Sequence, residues 1–358
     1  MPRKPTEYAQ SETYNEILSQ SDVWQSVLRQ LKHDRSEEKI LPSNNRKSTW
    51  LFVGCGTSFY LADTAATSWT LLTGEPARAV PGSELLLYPA LTRADAAGLH
   101  AVVISRSGRT SEAVRAAHVL RKDLQVPTVG ITCAVKSELE AECNSTLVLK
   151  PADEKSTVMT RSFTSMLLSL QWMAAMRSGN PSFVNSLEEM AARFATRTPG
   201  LAEQMADFVD RHSFEDYVFL GQGPFHGIAR EAALKVMEMS CSYSQAFHTL
   251  EFRHGPKAIV TPRTALTFFL SQSALSSEVE VLEEMKELGG ITIAVCNRTN
   301  ENIRRASDLV LELDLPGGEL AQLAPHIVPS QLMGFFTGVG KGLNPDQPKN
   351  LTRVVVLD

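Results

Sequence analysis

The chain has 358 residues, too many for one small core, and its 43% hydrophobic and 21% charged residues are the balance of a globular protein of two domains. A net charge of -5 and a pI near 6.0 weigh against nucleic acid as the main partner. No apolar run reaches the roughly 20 residues of a membrane span, Met1-Pro2-Arg3-Lys4-Pro5 has no signal-peptide core, and the scattered cysteines lack metal-ligand spacing, which together predict a cytoplasmic protein.

Residues 1–47 read as a polar helical arm. Tyr14, Ile17, Leu18, Val23, Trp24, Val27, Leu28 and Leu31 recur at helical spacing, with a break near Ser21-Asp22 that would cap a second helix. The charged run 32–39 reads as a solvated face or loop. Strands then alternate with helices. Trp50-Leu51-Phe52-Val53 is a strand that Gly54-Cys55-Gly56-Thr57-Ser58 turns into a helix at Phe59. That turn lacks the third glycine of a dinucleotide fingerprint, and no acidic residue follows a next strand at the expected distance, which argues against a nicotinamide site. Ala79-Val80 and the runs 101–104, 128–132 and 146–149 complete a doubly wound parallel sheet. Ligands of such sheets bind outside the carboxyl ends of the strands.

One of those ends carries Ser105-Arg106-Ser107-Gly108-Arg109-Thr110-Ser111, between the apolar run Ala101-Val102-Val103-Ile104 and a helix opening Glu112-Ala113-Val114. Unpaired first-turn amides, the positive end of the helix dipole and several hydroxyls suit an anion. Arg106 and Arg109 add positive potential. A merely capped turn, with Thr110 or Ser111 as N-cap and nothing bound, fits the same residues.

The chain also resembles itself. Phe52-Val53-Gly54-Cys55-Gly56 returns as Phe219-Leu220-Gly221-Gln222-Gly223. The strand ending in Ser105-Arg106-Ser107 returns as the one ending in Ser271-Gln272-Ser273. Val129-Gly130-Ile131-Thr132-Cys133 matches Ile293-Ala294-Val295-Cys296-Asn297, and Leu147-Val148-Leu149 matches Leu309-Val310-Leu311, all at an offset of about 165 residues. The fold predicted is α/β, a tandem duplication of a flavodoxin-like doubly wound parallel-sheet domain. Its parts are an N-terminal helical arm (1–47), a first domain (48–200) and a second (201–358), with a helical junction at about 164–212. The second copy lacks the glycine and arginines of the hydroxyl turn, so one phosphate site per chain is expected, in the first half.

The second copy carries different chemistry. In the helix 227–238, Ala229, Ala232, Ala233, Val236 and Met237 form an apolar stripe, while Glu231, Lys235 and Glu238 project together from another face. By spacing alone this trio is a surface ion-pair ladder worth a few tenths of a kcal/mol. His254 stands before Gly255-Pro256, where a helix must stop, so a loop presents its ring; His248 has no such setting and reads as structural. Carboxylate, ammonium and imidazole near a phosphate suit a sugar phosphate. Histidine titrates in the range needed for ring opening, a carboxylate can move a proton between adjacent carbons, and Lys235 can offset charge on an enediol oxygen. Neither a metal nor another cofactor is called for.

These residues resemble the sugar isomerase (SIS) domain family, in particular the isomerase half of glucosamine-6-phosphate synthase and free-standing amino-sugar-phosphate deaminases. The likeness rests on Cys55-Gly56-Thr57-Ser58, Ser105-x-Ser107-Gly108-x-Thr110, Thr160-Arg161-Ser162-Phe163-Thr164, Glu231-x-Ala233-Leu234-Lys235-x-x-Glu238, His254-Gly255-Pro256 and the tail 344–353. The resemblance implies that Ser58, Ser105, Arg106, Ser107 and Thr110, with Thr57 beside them, hold a phosphate, Arg106 through its backbone amide. It implies that Ser156 and Thr157 meet sugar hydroxyls, that Glu238 moves a proton between C1 and C2, and that Lys235 sits at the reacting carbons. His254 would open the ring from the neighbouring subunit of an obligate homodimer. The synthase's Schiff-base lysine falls on Arg353, whose guanidinium stays protonated, and no catalytic cysteine follows Met1. Both departures favour ammonia release over synthesis. The pattern Glu16-Ile17-x-x-Gln20-x-x-x-Trp24 and Arg230-Glu231-Ala232-Ala233-Leu234-Lys235 resemble the galactosamine-6-phosphate deaminase branch. The expected activity is that of an amino-sugar 6-phosphate isomerase/deaminase. A fructosamine-type 6-phosphate deglycase and a non-catalytic sugar-phosphate sensor are the alternatives.

Overall fold

Parallel strands covered on both faces need near-continuous apolar runs, and the runs named above supply all of them but the edge strand at Tyr243–Phe247. The computed structural model describes residues 8–42, 48–93 and 96–357; the Met1-to-Pro5 opening and the expected end of the arm at Lys47 lie outside them. The first sheet consists of β1 (Thr49–Gly54), β2 (Ala77–Pro81), β3 (Leu99–Ile104), β4 (Thr128–Thr132) and β5 (Ser145–Val148). The second consists of β6 (Asp216–Gly221), β7 (Tyr243–Phe247), β8 (Thr264–Phe269), β9 (Ile291–Cys296) and β10 (Leu309–Glu312). The strand orders are β2-β1-β3-β4-β5 and β7-β6-β8-β9-β10, the same topology twice, and every pairing is parallel. The α/β fold and its tandem flavodoxin-like duplication are as the sequence predicts.

The glycine turns after β1 and β6 share one backbone shape. Gly56 has φ 55° and ψ −127°, and Gly223 has φ 55° and ψ −128°, positive-φ geometry that favours glycine. The third junctions differ. Ile104 pairs with Ile131 and Phe269 with Val295, which sets Ser105 against Leu270 rather than against Ser271. From strand end to helix N-cap the first turn runs Ser105 to Thr110 and the second Leu270 to Ala274, one residue shorter. The sequence match of Ser105-Arg106-Ser107 with Ser271-Gln272-Ser273 therefore slips by one residue, because the deletion lies inside the turn.

The chain divides into two compact units that exchange their terminal segments. One contains Asp22–Glu154, Arg161–Glu188 and the tail from Thr352, and holds the first sheet. Its core joins Leu51, Val53, Val103, Ala113 and Leu120. The other contains the chain up to Ser21, Lys155–Thr160 and Glu189–Leu351, and holds the second sheet over a core of Leu220, Phe268, Leu282 and Met285.

In the arm, the helix Glu12–Leu18 stops at Ser19, earlier than the Ser21-Asp22 break predicted, and a second helix runs Gln20–His33. Asp346 accepts from Ser11 Oγ (2.8 Å) and from the Thr13 amide (2.8 Å), closing the N-terminus of the first helix. Trp24 is fully buried and donates to Thr164 Oγ1 at 2.8 Å. The charged run 32–39, expected as a solvated face or loop, contains a short helix, Ser36–Ile40, with Glu38 and Lys39 exposed, which buried Ile40 anchors and acidic first-turn residues favour. The junction is helical as expected: Arg161–Ser178, Pro181–Phe194 and Thr198–Arg211. Among the described residues no helix is long and apolar enough to cross a membrane.

Candidate functional site

The hydroxyl turn lies between β3 and the helix Ser111–His118, with Thr110 as N-cap in extended conformation. Two of its amides bond its own oxygens, while the Ser111 amide donates to the Val355 carbonyl of the tail at 3.2 Å. The Gly108 amide donates to the carbonyl and to Oγ of Ser105, both at 3.1 Å, and the Arg109 amide donates to Ser107 Oγ at 3.2 Å. Gly108 sits at φ 61°, and a Cβ there would lie 2.4 Å from that of Ser137, so only glycine fits. Ser105, Thr57 and Ser58 are buried, while Ser107 and Thr110 are partly open. Among the described residues no carboxylate is seated on the donors of Ser107 or Thr110.

Arg106 does not add its charge to this turn. Its side chain is buried, with Nη1 3.4 Å from Glu154 Oε2 and Nη2 donating to the Arg353 carbonyl at 3.1 Å. The expectation of a guanidinium raising the local potential is corrected: Glu154 neutralises it, which leaves the Arg106 backbone as the part suited to an anion. Glu154 also receives Ser162 Oγ and, at 3.2 Å, the Ser162 amide. Arg353 donates to Asp153 Oδ1 at 2.8 Å and to the Glu154 carbonyl, so it ties the tail down in this unit. Glu154 was not singled out from the sequence; a lone carboxylate whose partner lies 48 residues away has no local signature.

Ser156 and Thr157 belong to the other unit, where Glu16 organises their loop. The Glu16 carboxylate, buried, accepts from the Lys155 amide at 2.6 Å and from Ser156 Oγ. Ser156's hydroxyl is thus committed to the protein, and partly exposed Thr157 is the better presented of the two. Glu16 had entered only as part of a pattern; its contact, 139 residues along the chain, shows what the pattern does. Gln20 joins the same arrangement by donating to Gln331 Oε1 at 2.7 Å, and Gln331 donates to the Thr160 carbonyl at 3.4 Å.

In that unit the helix Pro224–Ser240 carries the charged trio. The surface-ladder reading fails, because the Glu231 and Lys235 side chains are 0% exposed and Glu238 is 19% exposed. Met237, placed on the apolar stripe by spacing, is instead an exposed side chain. Lys235 Nζ lies 3.3 Å from Glu231 Oε1 and bonds Glu238 Oε2. Burial alone would lower the Lys235 pKa, but the two carboxylates outweigh it and hold the pKa above its ordinary value. The group is a buried carboxylate and ammonium with a second carboxylate at the edge of solvent. His254 follows a short 3-10 turn (Glu251–Arg253) and is exposed, as the Gly-Pro after it predicts. His248 stacks on His226 with ring centroids 3.7 Å apart.

The buried and half-buried cysteines offer no nucleophile near neutrality. Burial pushes the thiol of Cys55 up to about 11 and those of Cys143 and Cys296 up to about 12. Among the described residues no group of three His, Cys, Asp or Glu side chains is placed to hold a metal ion.

Residues 45–176 and 215–333 match the family model described as the SIS domain. Glutamine–fructose-6-phosphate aminotransferase (isomerizing) of Pyrobaculum aerophilum is 27% identical over 316 residues, covering 86% of this chain and 51% of that protein. The chain thus spans about half the length of the curated relatives it matches. Among solved structures, glucosamine-6-phosphate deaminase of Thermotoga maritima aligns with a TM-score of 0.79 at 29% identity over 97% of this chain and all of that one. Tagatose-6-phosphate ketose/aldose isomerase of Escherichia coli shares the fold with a TM-score of 0.84 at 22% identity, over 100% of this chain and 98% of the other.

Proposed function

This chain belongs to the SIS domain family, and on that ground we propose that it is an amino-sugar 6-phosphate isomerase/deaminase, converting a 2-amino-2-deoxyaldose 6-phosphate and water into a ketose 6-phosphate and ammonia. The observation that carries the reading is Glu238, a carboxylate at the edge of solvent fixed by a buried lysine. Surface ladders do not bury their ammonium; a base that must act at two neighbouring carbons needs this fixing.

In this reading Ser58, Ser105, Ser107 and Thr110, with Thr57 and the Arg106 amide, hold the 6-phosphate. Thr157 meets a sugar hydroxyl and Ser156 keeps the loop in shape through Glu16. His254 moves the C1 hydroxyl proton to the ring oxygen, which opens the ring. Glu238 takes the C2 proton while an ammonium proton passes to O1, and returns it to C1. An iminium is left at C2; water adds there and ammonia leaves. Lys235 fixes the base. Arg353 cannot form a Schiff base with a ketose, which favours ammonia release over its incorporation. The names of the relatives, an aminotransferase and a glucosamine-6-phosphate deaminase, fit this substrate class.

The test is product analysis on glucosamine 6-phosphate, galactosamine 6-phosphate and a fructosamine-type 6-phosphate adduct of an amino acid. Ammonia with ketose 6-phosphate from an amino sugar is expected. Free amino acid from the adduct alone makes the chain a deglycase, and binding without product makes it a sensor. The exposed His254 is proposed to act in a second copy of the chain. Mixing inactive His254→Asn and Glu238→Gln chains then restores part of the activity; no recovery after subunit exchange refutes a shared dimer site.

A further inference from the structure

The turn after β8 stands at the same place in its sheet as the hydroxyl turn after β3, yet it is closed by a side chain of its own unit. Glu319 Oε2 accepts from the backbone amides of Gln272 (2.8 Å) and Ser273 (3.0 Å), and its other oxygen accepts from Ser273 Oγ. Two adjacent amides and a hydroxyl converging on one carboxylate form an oxyanion cradle. The helix Leu275–Glu287 begins immediately afterwards with Ala274 as N-cap and no side-chain cap, so its positive end also faces this turn. Beneath it, Glu278 Oε2 takes the Ser271 amide at 2.7 Å and Ser271 Oγ at 3.0 Å. A groove of about 570 Å³ opens beside the turn, lined by Gln272, Ser273, Ser276, Glu280, Glu283 and Asn300.

From this we infer that the second repeat retains an oxyanion site and that Glu319 is its built-in ligand, a tethered carboxylate that keeps free phosphate out. Tethering gives the carboxylate an effective concentration in the millimolar range or above, enough to hold the cradle against a weak free anion. The acidic lining from Glu280 and Glu283 works in the same direction by repelling anions from solution. The two turns would then differ in occupancy by design: one filled from within, the other left for a ligand. The inference concerns the second turn alone and stands apart from the reaction proposed above.

The test uses the full chain with Glu319→Ala, and Glu319→Gln as a milder variant that keeps a neutral acceptor. Thermal melts are taken in inorganic phosphate and in sodium chloride of matched ionic strength, and phosphate binding is counted by calorimetry. The expected result is a melting temperature several degrees below wild type in chloride, recovered in phosphate more for the variants than for wild type. One more phosphate per chain than in wild type is expected to bind, whatever the wild-type number is. If Glu319→Ala does not fold, Glu319→Gln carries the test. Variants as stable as wild type in chloride, a phosphate gain equal for variant and wild type, or an unchanged phosphate count would overturn the inference.

Discussion

The turns after β3 and β8 show how a duplicated fold divides its labour. Both leave the third strand of an identical parallel sheet and enter a helix. In the first, glycine at φ 61° tightens the bend and the amides of Gly108 and Arg109 bond the turn's own oxygens. In the second, one residue is lost and two glutamates, Glu278 and Glu319, take up the donors. What the second repeat gives up at the turn it replaces on the helix Pro224–Ser240, where Glu231, Lys235 and Glu238 stand. The framework is shared, as the matched glycines at 56 and 223 show. Function follows the few side chains that differ.

The comparison breaks most easily at Lys235. Replacing it with Met leaves Glu231 buried without its counter-charge, and unfolding is expected to become easier by about 3–5 kcal/mol in urea titrations. No change would mean the buried ion pair is not what holds this helix in place.

The next effect concerns the second turn. Burial, with help from the Glu319 charge, raises the Glu278 pKa to about 7 despite its bonds from Ser271. A carboxyl with a raised folded pKa adds stability that is fully present below its unfolded value, about 4.3, and is lost as pH rises through about 7. Glu278→Gln is therefore expected to match wild type near pH 4 and to exceed it at pH 8 by up to about 3 kcal/mol. Parallel melting curves against pH would contradict this.

Smaller effects separate the turns by readout. Ser107→Ala in the first turn removes the donor proposed to hold the phosphate, worth about 1.5–3 kcal/mol of binding, and is expected to give roughly a tenfold or greater rise in KM with little loss of stability. Ser273→Ala in the second turn removes a donor to an internal carboxylate and is expected to lower stability instead, by about 1 kcal/mol, with KM unchanged. The same readout for both would erase the distinction drawn here.

The strands other than β7 and both glycine turns were legible because buried parallel strands need apolar runs and glycine is required where φ is positive; β7, an edge strand of sequence Tyr243-Ser244-Gln245-Ala246-Phe247, has no apolar run to show it. The hydroxyl turn was legible as strand, turn and helix N-terminus. The burial of Glu231 and Lys235 was not, since spacing of four and three residues is the same for a surface ladder and a buried cluster. Nor were Glu16, Glu154 and Glu319 legible: Glu16 and Glu319 act on backbone far along the chain and Glu154 on the Arg106 side chain 48 residues away, and nothing local distinguishes any of them from a solvated glutamate. The slip between Ser105 and Ser271 arose because matching serines mask a deletion that only strand register reveals.

The division of roles is tested most directly by separating binding from turnover in Glu238→Gln. The account predicts that this variant binds glucosamine 6-phosphate or galactosamine 6-phosphate as tightly as wild type while ammonia release falls by about 10²–10⁴-fold. Turnover equal to wild type, or a loss explained wholly by weaker binding, would contradict it.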